Sequence, residues 1–330
     1  MTQLTCTPID IGNVTPKLIV TVDTEEQFDW TRFDPESYSL ADVADIDKFQ
    51  TLCQEENVVP LYFLSYPLII DEKTATYYRD KQSMGHAACG LHLHPWVTPP
   101  HSALRGEYYS YQMNYPQGEH RAKLAALADA YEGVFGARAT SHRAGRYGIA
   151  PDNYQFLAEV GISHDFSLSP SFDFSPSSGP DFSGTSNKAF HTQTAHGPVS
   201  VTPVSGARAL RHTKIFRSQE LNPAGFAAPH KRARFTEPVR ISPEASDLET
   251  LKALTKHLIN DGVFTLTFTI HSTSLTIGAT DYSPDQAAVD SMLKTTAEYF
   301  QWFRQFTGGD IVSLNELTKL YTKEATTAHP

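Results

Sequence analysis

Short apolar runs that alternate with helical patterns restrict the fold of this chain more than any other feature. The runs typical of strands cover residues 18–22, 58–65, 90–94, 139–142, 162–166, 199–204, 263–270 and 311–313. Helical patterns lie between them at residues 40–56, 119–135, 151–160, 243–260 and 284–306. A helix after a strand returns the chain to the same end of the sheet, so successive strands pair in parallel. The pattern therefore predicts an α/β fold with a parallel sheet.

Chain length and two irregular stretches determine the expected domain organisation. A chain of 330 residues can form one large domain or two medium ones. Residues 167–197 and 217–242 show neither helical nor strand periodicity. The first stretch contains phenylalanines that need something to pack against, so we expect surface insertions and not linkers. We predict a single domain over residues 1–330 that carries both insertions.

Composition argues against several kinds of partner. The net charge of −10 and the pI near 5.7, without a long run of Lys or Arg, disfavour nucleic-acid binding. No stretch offers the roughly 18 uninterrupted apolar residues of a membrane span, and the amino-terminal residues do not resemble an export signal. Cys6, Cys53 and Cys89 are scattered, which indicates free thiols. These observations predict a cytoplasmic protein and leave its oligomeric state open.

Polar side chains recur where the predicted strands end. These positions are Asp23 and Glu25, His92 and His94, His142 and Arg143, Asp165, and His271. In parallel α/β barrels, active sites are built from the carboxyl ends of the strands. Each residue alone has an ordinary structural explanation, such as a solvated acidic loop or a buried, hydrogen-bonded histidine. Their recurrence at strand after strand favours a shared site.

His92 and His94 predict a metal site. Side chains at positions i and i+2 of a strand share a face, so these two imidazoles can bind one ion. Imidazoles and carboxylates are the ligands of hydrolytic metal centres. Amidohydrolase barrels also use a His-x-His pair, but on their first strand. Here an acidic motif precedes the pair by roughly seventy residues, which disfavours that alternative.

Together these motifs resemble the NodB-homology polysaccharide deacetylases, carbohydrate esterase family 4. The similarity is closest to the WalW-like branch, whose members carry sequences similar to four segments of this chain. The segments are TVDTEEQFDW at 21–30, HLHPWVTPP at 92–100, RAGRYG at 143–148 and GPDF at 179–182. The motifs span roughly residues 18–275. The resemblance implies a distorted (β/α) barrel with about seven to eight parallel strands.

The resemblance also implies catalytic roles. Asp23 matches the catalytic base, and Arg143 would hold that carboxylate in place. The backbone N–H near Tyr147 would stabilise the oxyanion, and His271 would protonate the leaving amine. Asp165 matches the acidic residue of the motif that follows Arg143 and is also a catalytic candidate.

The implied metal ligands differ from the usual pattern of the family. His92 matches the first metal histidine, whereas the second, His94, lies two residues on instead of four. A second aspartate usually follows the base directly, but this chain has Thr24 there. Glu25 is therefore the candidate carboxylate ligand, with Asp23 as the alternative. The expected ion is Zn²⁺, and Ni²⁺, Co²⁺ and Fe²⁺ suit the same ligands.

The predicted function is hydrolysis of a carbon–nitrogen amide bond. The expected substrate is an N-acetylated sugar or a polysaccharide precursor, with Trp30 and Trp96 stacking on sugar faces. One alternative keeps the site and changes the substrate to a small amide or a cyclic imide. Another is a non-catalytic carbohydrate-binding relative. The retained Asp23, Arg143 and His271 argue against that last possibility.

Overall fold

The computed structural model describes residues 5–11, 15–29, 32–217 and 235–327 of the chain. In chain order, the strands are β1 (Cys6–Pro8), β2 (Lys17–Thr24), β3 (Gln27–Phe28), β4 (Tyr38–Ser39), β5 (Leu61–Leu64), β6 (Ala88–Leu93), β7 (Ser141–Ala144), β8 (His164–Asp165), β9 (Phe190–Thr194), β10 (Gly197–Val201), β11 (Gly206–Leu210), β12 (Phe216–Arg217), β13 (Thr236–Arg240), β14 (Thr265–His271) and β15 (Asp310–Val312). The helices are α1 (Val43–Glu55), α2 (Tyr66–Ile70), α3 (Glu72–Ser83), α4 (Gln117–Phe135), α5 (Asn153–Glu159), α6 (Leu248–Asn260), α7 (Gln286–Thr307) and α8 (Leu314–Thr327).

A ten-stranded sheet forms the centre of the molecule, in the order β1-β9-β10-β8-β7-β6-β5-β2-β14. Neighbours from β14 through β2, β5, β6, β7 and β8 to β10 are parallel, whereas β9 and β1 are antiparallel additions. The remaining strand, β15, pairs with the first half of β2, while β5 pairs with its second half. Each predicted strand overlaps one of these strands. The predicted α/β fold with a mostly parallel sheet is confirmed.

Irregular segments bridge the side of the barrel between β10 and β14. The Thr267 N–H donates to Ser205 Oγ at 2.9 Å, and the Thr267 hydroxyl donates to the Pro203 carbonyl at 3.0 Å. Ile241 connects the same two sides, because it donates to the Ser205 carbonyl and accepts from the Thr269 N–H, both at 3.0 Å. The barrel is therefore distorted here, which leaves room for a cavity beside the end of β14.

Helix α7 shows how the sequence pattern builds the outer layer. Asp285 begins the helix, since its carboxylate accepts from the Ala288 N–H, and Gly308 ends it in the left-handed conformation. Its buried residues recur at the spacing of one helical face: Val289, Met292, Thr296, Tyr299, Phe300 and Phe303. Two of the rings in this face pack on Phe268 of β14, with centroids 6.0 and 5.2 Å away. No helix in the described ranges is long and apolar enough to cross a bilayer.

Several elements were not predicted. All five predicted helices are present, but α2, α3 and α8 were missed. Helix α3 buries only Thr74, Ala75 and Tyr78, which is too short an apolar stripe to indicate a helix. The small antiparallel sheet β12-β11-β13 was also missed; two of its three strands, β12 and β13, lie at or inside the second irregular stretch.

The expectation that residues 167–197 form a surface insertion is wrong. Phe182 is fully buried, and the segment includes β9, which joins the main sheet. Several of its small polar residues are buried as well: Ser167, Ser169, Ser171, Ser183, Thr185, Ser186 and Asn187. Hydrogen bonds make this possible; the Asn187 amide, for example, both donates to and accepts from Gly206 backbone at 2.8 and 2.9 Å. Of the second stretch, 217–242, residues 218–234 lie outside the described residues, and most of the remainder forms β13.

Candidate active site

The carboxyl ends of four parallel strands bring the candidate residues together. In the strand register, Asp23 of β2 lies beside His271 of β14, and His92 of β6 lies beside Arg143 of β7. Glu25 follows β2 directly, and His94 follows β6. Because all these strands are parallel and adjacent through β5, their ends point to one rim of the barrel.

Glu25, His92 and His94 form a cluster that can hold a metal ion. One potential ligand atom from each residue lies within 4.8 Å of the others. The Nε2 atoms of His92 and His94 are 3.6 and 3.3 Å from Glu25 Oε2. Ligand atoms about 2.1 Å from a tetrahedral ion are about 3.4 Å apart. Two imidazole nitrogens and one carboxylate oxygen therefore fit a transition metal with an open position.

The other ring nitrogen of each histidine has a hydrogen-bond acceptor. His92 Nδ1 donates to the Arg143 carbonyl at 2.9 Å, and His94 Nδ1 donates to Glu26 Oε1 at 2.8 Å. These bonds make Nδ1 the donor in each ring, so Nε2 is the atom that faces the cluster and can bind an ion once it is deprotonated. Glu26 also accepts from the Ser65 hydroxyl at 2.7 Å and from Trp96 Nε1 at 3.1 Å. Sequence reasoning missed Glu26, although it follows the predicted ligand directly.

The charges of the cluster are strongly coupled. Burial alone would lower the pKa of His94, but the carboxylates of Glu26 and Glu25 outweigh it and raise that pKa to about 9. Burial and the neighbouring His94 lower the pKa of His92. Burial opposes ionisation of Glu25, yet hydrogen bonds from His92 and His94 hold its pKa well below the usual range. In the ion-free protein a proton therefore occupies part of the position that a cation would take.

Gly145, directly after β7, lets the chain pass close to His94. A Cβ on Gly145 would lie 2.5 Å from His94 Cδ2 and 2.7 Å from the Leu93 carbonyl oxygen. The next two residues, Arg146 and Tyr147, have φ values of 52° and 58°, an uncommon conformation for residues with side chains. The turn after β7 is thus fitted closely against the cluster. The oxyanion role of the backbone near Tyr147 stays a prediction.

Asp23 and Arg143 form a buried ion pair. Arg143 donates from Nη1 to Asp23 and, at 3.0 Å, to Thr269 Oγ1. Its other nitrogens donate to Thr21 Oγ1 and to the Phe166 carbonyl, each at 3.0 Å. Burial opposes ionisation of Asp23, but the charges of Arg143, His92 and His271 outweigh it and lower the pKa of the carboxyl. Asp23 is therefore held ionised in one orientation.

His271 lies between Asp23 and a second carboxylate. Its Nε2 is 3.7 Å from Asp23 Oδ2, and its Nδ1 donates to both carboxylate oxygens of Glu244 at 3.0 Å. Glu244 is fixed by the Ser274 hydroxyl at 2.6 Å and by the His271 N–H at 2.9 Å. Burial opposes protonation of His271, but Glu244, Glu25 and Asp23 overcome it and raise its pKa well above 6.5. The imidazole is thus positively charged at neutral pH.

Sequence reasoning missed Glu244 for a specific reason. It was included in the helix predicted over 243–260, but α6 begins at Leu248, so Glu244 lies in the preceding loop. Only the path of the chain after β13 brings it to His271. No local pattern in the sequence indicates this contact.

Asp165 lies outside the cluster, contrary to its predicted place among the catalytic residues. It pairs in register with His142, and successive residues of β7 face opposite sides, so both point away from the Arg143 side. The carboxylate accepts from His142 Nδ1 at 2.9 Å and from the Ser167 hydroxyl at 2.6 Å. The residue is fully buried. These contacts describe a structural hydrogen-bond network.

The two predicted sugar-stacking tryptophans receive no support. Trp96 is only 7 % exposed, and its ring stacks on His94 with centroids 4.1 Å apart. It therefore packs behind the histidine and donates to Glu26, instead of presenting a face to a sugar. Trp30 lies outside the described residues.

Comparison with solved structures identifies the fold. A Mycobacterium smegmatis protein assigned provisionally as a polysaccharide deacetylase is 12 % identical, with a TM-score of 0.56 over 98 % of this chain and 96 % of the other. The 4-alpha-glucanotransferase of Thermococcus litoralis is also 12 % identical, with a TM-score of 0.54 over 93 % of this chain but 40 % of its own. The Xyl-CE4 domain of a xylanase from the hindgut metagenome of Trinervitermes trinervoides is 8 % identical, with a TM-score of 0.47 over 94 % and 92 %.

No protein-family model matches the sequence, and neither does any curated protein. The structural likeness confirms the predicted resemblance at the level of the fold, which is that of the NodB-homology polysaccharide deacetylases. The WalW-like branch stays a prediction. Since a glucanotransferase shares much of this architecture, the fold alone does not determine the chemistry.

Proposed function

We propose that this protein, with its deacetylase-type barrel, is a metal-dependent hydrolase that removes the acetyl group from an N-acetylated sugar. One observation carries the proposal: the Glu25, His92 and His94 cluster lies beside an ionised Asp23 and a protonated His271. Amide hydrolysis needs an electrophilic ion, a base for the attacking water and an acid for the leaving nitrogen. The cluster and the Asp23–His271 pair supply one group for each task.

The cluster would hold the ion through His92 Nε2, His94 Nε2 and a Glu25 carboxylate oxygen. A bound divalent ion would polarise the scissile carbonyl and lower the pKa of water from 15.7 towards roughly 7. We favour Zn²⁺, because it prefers this mixture of nitrogen and oxygen ligands, while Ni²⁺, Co²⁺ and Fe²⁺ suit it too.

The two remaining groups move protons. Asp23 would accept the proton of the attacking water, since Arg143 holds its carboxylate ionised. His271 uses Nδ1 for Glu244, so the proton it can transfer is the one on Nε2. That proton would go to the leaving nitrogen, which otherwise would have to depart as an unfavourable amide anion. Glu244 would keep the imidazole charged until this step.

The charges favour amide hydrolysis over glycosyl transfer. A glycoside hydrolase needs one carboxylic acid that stays protonated near neutral pH, so its pKa must be raised. Here the pKa values of both Asp23 and Glu25 are lowered by basic neighbours. Neither Asp23 nor Glu25 can therefore serve as the protonated acid of a glycoside hydrolase, although a glucanotransferase shares the architecture.

Acetate release tests the proposal. The ion-loaded protein is incubated with N-acetylglucosamine oligomers, small N-acyl amides and cyclic imides, and the products are quantified. We expect the wild-type protein to release acetate from the sugars. In His271→Gln, which lacks the acid, the rate of release should be at least about 100-fold lower. His196→Gln, a half-exposed histidine beside Glu159, is the matched control and should be unaffected. Turnover confined to imides or small amides would replace the sugar in the proposal, and binding without any turnover would favour a carbohydrate-binding role.

A further inference from the structure

A cavity of about 460 Å³ opens beside His271. One wall is formed by His271 and Glu244, and Phe172, Glu237 and Arg240 line it as well. Glu237 and Arg240 belong to β13 of the small antiparallel sheet, not to the barrel. The cavity is therefore large enough for a substituent of the substrate next to the proton donor. Its chemistry depends on a part of the chain that the predicted motifs do not include.

Arg240 is held in this cavity by neutral groups. Its guanidinium lies 4.1 Å from the ring centroid of Phe172 and 4.7 Å from that of Tyr147. Nη1 donates to the Tyr147 hydroxyl at 2.8 Å, and Nη2 donates to Ser169 Oγ at 3.3 Å. Phe174 stacks on Tyr147 with centroids 5.8 Å apart and supports this arrangement. The side chain is thus oriented in advance, which lowers the entropy lost on binding a ligand.

The positive charge of Arg240 lacks a counter-ion among the described residues. Its Nε is buried without a hydrogen-bond partner there, and the partners of Nη1 and Nη2 are both hydroxyl groups, so no carboxylate of that part of the chain pairs with it. Arg143, by contrast, is paired with Asp23. Arg208 on the neighbouring strand donates to Thr236 and to the Ser171 carbonyl, so its donors are used within the fold. Of these three arginines, Arg240 is the one that lines the cavity, and its two hydrogen bonds use only two of the five N–H groups of the guanidinium.

The acidic residues of the cavity do not neutralise Arg240. Glu244 is committed to His271 through both carboxylate oxygens. Glu237 of β13 also lines the cavity, but its carboxylate forms no ion pair with Arg240. A partly buried guanidinium without a counter-ion is unfavourable, and a carboxylate or phosphate can accept two parallel hydrogen bonds from such a group.

We propose that Arg240 binds an anionic group of the substrate, a carboxylate or a phosphate carried by the same sugar as the N-acetyl group. This inference rests on the proposed function, because the role of His271 makes the cavity part of the substrate site. It makes Arg240 a specificity residue that selects charged N-acetyl sugars over neutral ones.

Calorimetric binding to the ion-loaded protein tests this inference without requiring turnover. The probes are N-acetylglucosamine, N-acetylmuramic acid, which adds one carboxylate, and N-acetylglucosamine 6-phosphate and 1-phosphate. We expect at least one charged probe to bind about tenfold tighter than the neutral sugar, or about 1.4 kcal/mol. In Arg240→Met this ratio should fall to near one, and Arg240→Lys should keep part of it. The carboxylate and phosphate probes show which anion is preferred.

Two outcomes would overturn the assignment: a wild-type ratio near one for all charged probes, or an undiminished ratio in Arg240→Met. Glu237→Gln is the control of opposite sign, since removing a negative charge from the cavity should increase the ratio. If Arg240→Met does not fold, the affinity ratios of the wild type, Arg240→Lys and Glu237→Gln still test whether Arg240 binds the anion. A protein that binds charged sugars selectively but releases no acetate would refute the proposed reaction and leave this inference intact.

Discussion

The buried ion pair of Asp23 and Arg143 gives the sharpest prediction on stability. Both side chains are almost inaccessible, at 2 % and 0 % exposure. Arg143→Met keeps much of the side-chain volume but leaves the Asp23 carboxylate buried without its main counter-charge. It also removes donors to Thr21, Thr269 and the Phe166 carbonyl. Removing one partner of a buried pair typically costs about 3–5 kcal/mol, and we expect this loss in the free energy of unfolding.

The double variant Asp23→Asn/Arg143→Met separates the ion pair from the other contacts. Because it removes the unpaired charge, it should be about 1–3 kcal/mol more stable than Arg143→Met alone. Urea unfolding at pH 7 in the presence of a chelator measures each variant without the contribution of a bound ion. Arg138→Met is the matched control, because the ion pairs that Arg138 forms within the described ranges, with Asp129 and Glu132, are exposed. It should change stability by less than about 1 kcal/mol.

The free energy of unfolding should depend on pH in a definite direction. The folded-state pKa of Asp23 is lowered, so its contribution is present above the unfolded value near 3.9 and is lost as the pH falls through the folded value. In Arg143→Met we expect burial, the largest single influence on this carboxyl, to outweigh His92 and His271 and to raise the folded-state pKa of Asp23. The variant then gains stability on acidification, so its deficit relative to wild type should narrow from about pH 7 to about pH 5. A stability deficit below about 1 kcal/mol in Arg143→Met would refute this account of the pair. So would losses in Asp23→Asn and Arg143→Met that simply add up in the double variant.

Three further predictions concern other contacts. Glu244→Gln removes the carboxylate that raises the pKa of His271, so the alkaline limb of the kcat/KM profile should move to lower pH; an unmoved limb would exclude this role. Gly145→Ala places a Cβ 2.5 Å from His94 Cδ2 and should weaken metal binding about 10-fold or more in a chelator competition, as displaced ligands do; unchanged affinity would mean that the turn relaxes. Phe182→Ala should lower the free energy of unfolding by about 3–5 kcal/mol in urea, because the ring is fully buried; a loss below 1 kcal/mol would contradict its place in the core.

Local patterns predicted the part of the site that parallel strands assemble. Asp23, His92 and His271 lie at strand ends, and every parallel strand of one sheet delivers its carboxyl end to the same rim. The same reasoning failed for Asp165. Side chains alternate between the two faces of a strand, but the face that Asp165 occupies depends on how its strand pairs with β7. Once Arg143 faces inward, His142 must face outward, and the register places Asp165 beside His142. That pairing depends on the three-dimensional sheet and not on the local sequence.

The residues that the sequence did not reveal act through long-range contacts. Glu244 reaches His271, 27 positions away, and Arg240 reaches Tyr147, 93 positions away. Both come from the region after β11, where the chain leaves the regular alternation of strand and helix. Residues 167–197 were misplaced for a related reason. Serine-rich and glycine-rich segments are typical of surface loops, and only the backbone partners of Ser171 and Asn187 explain their burial.

Metal content per chain tests the central claim most directly. Protein prepared without chelator and without affinity-tag histidines is analysed by elemental mass spectrometry, before and after incubation with zinc or cobalt. We expect about one equivalent of a transition metal per chain, and close to none in His92→Gln and Glu25→Gln, while His196→Gln keeps the wild-type content. A wild-type protein that binds no metal after incubation, or ligand variants that keep a full equivalent, would contradict a metal centre at Glu25, His92 and His94.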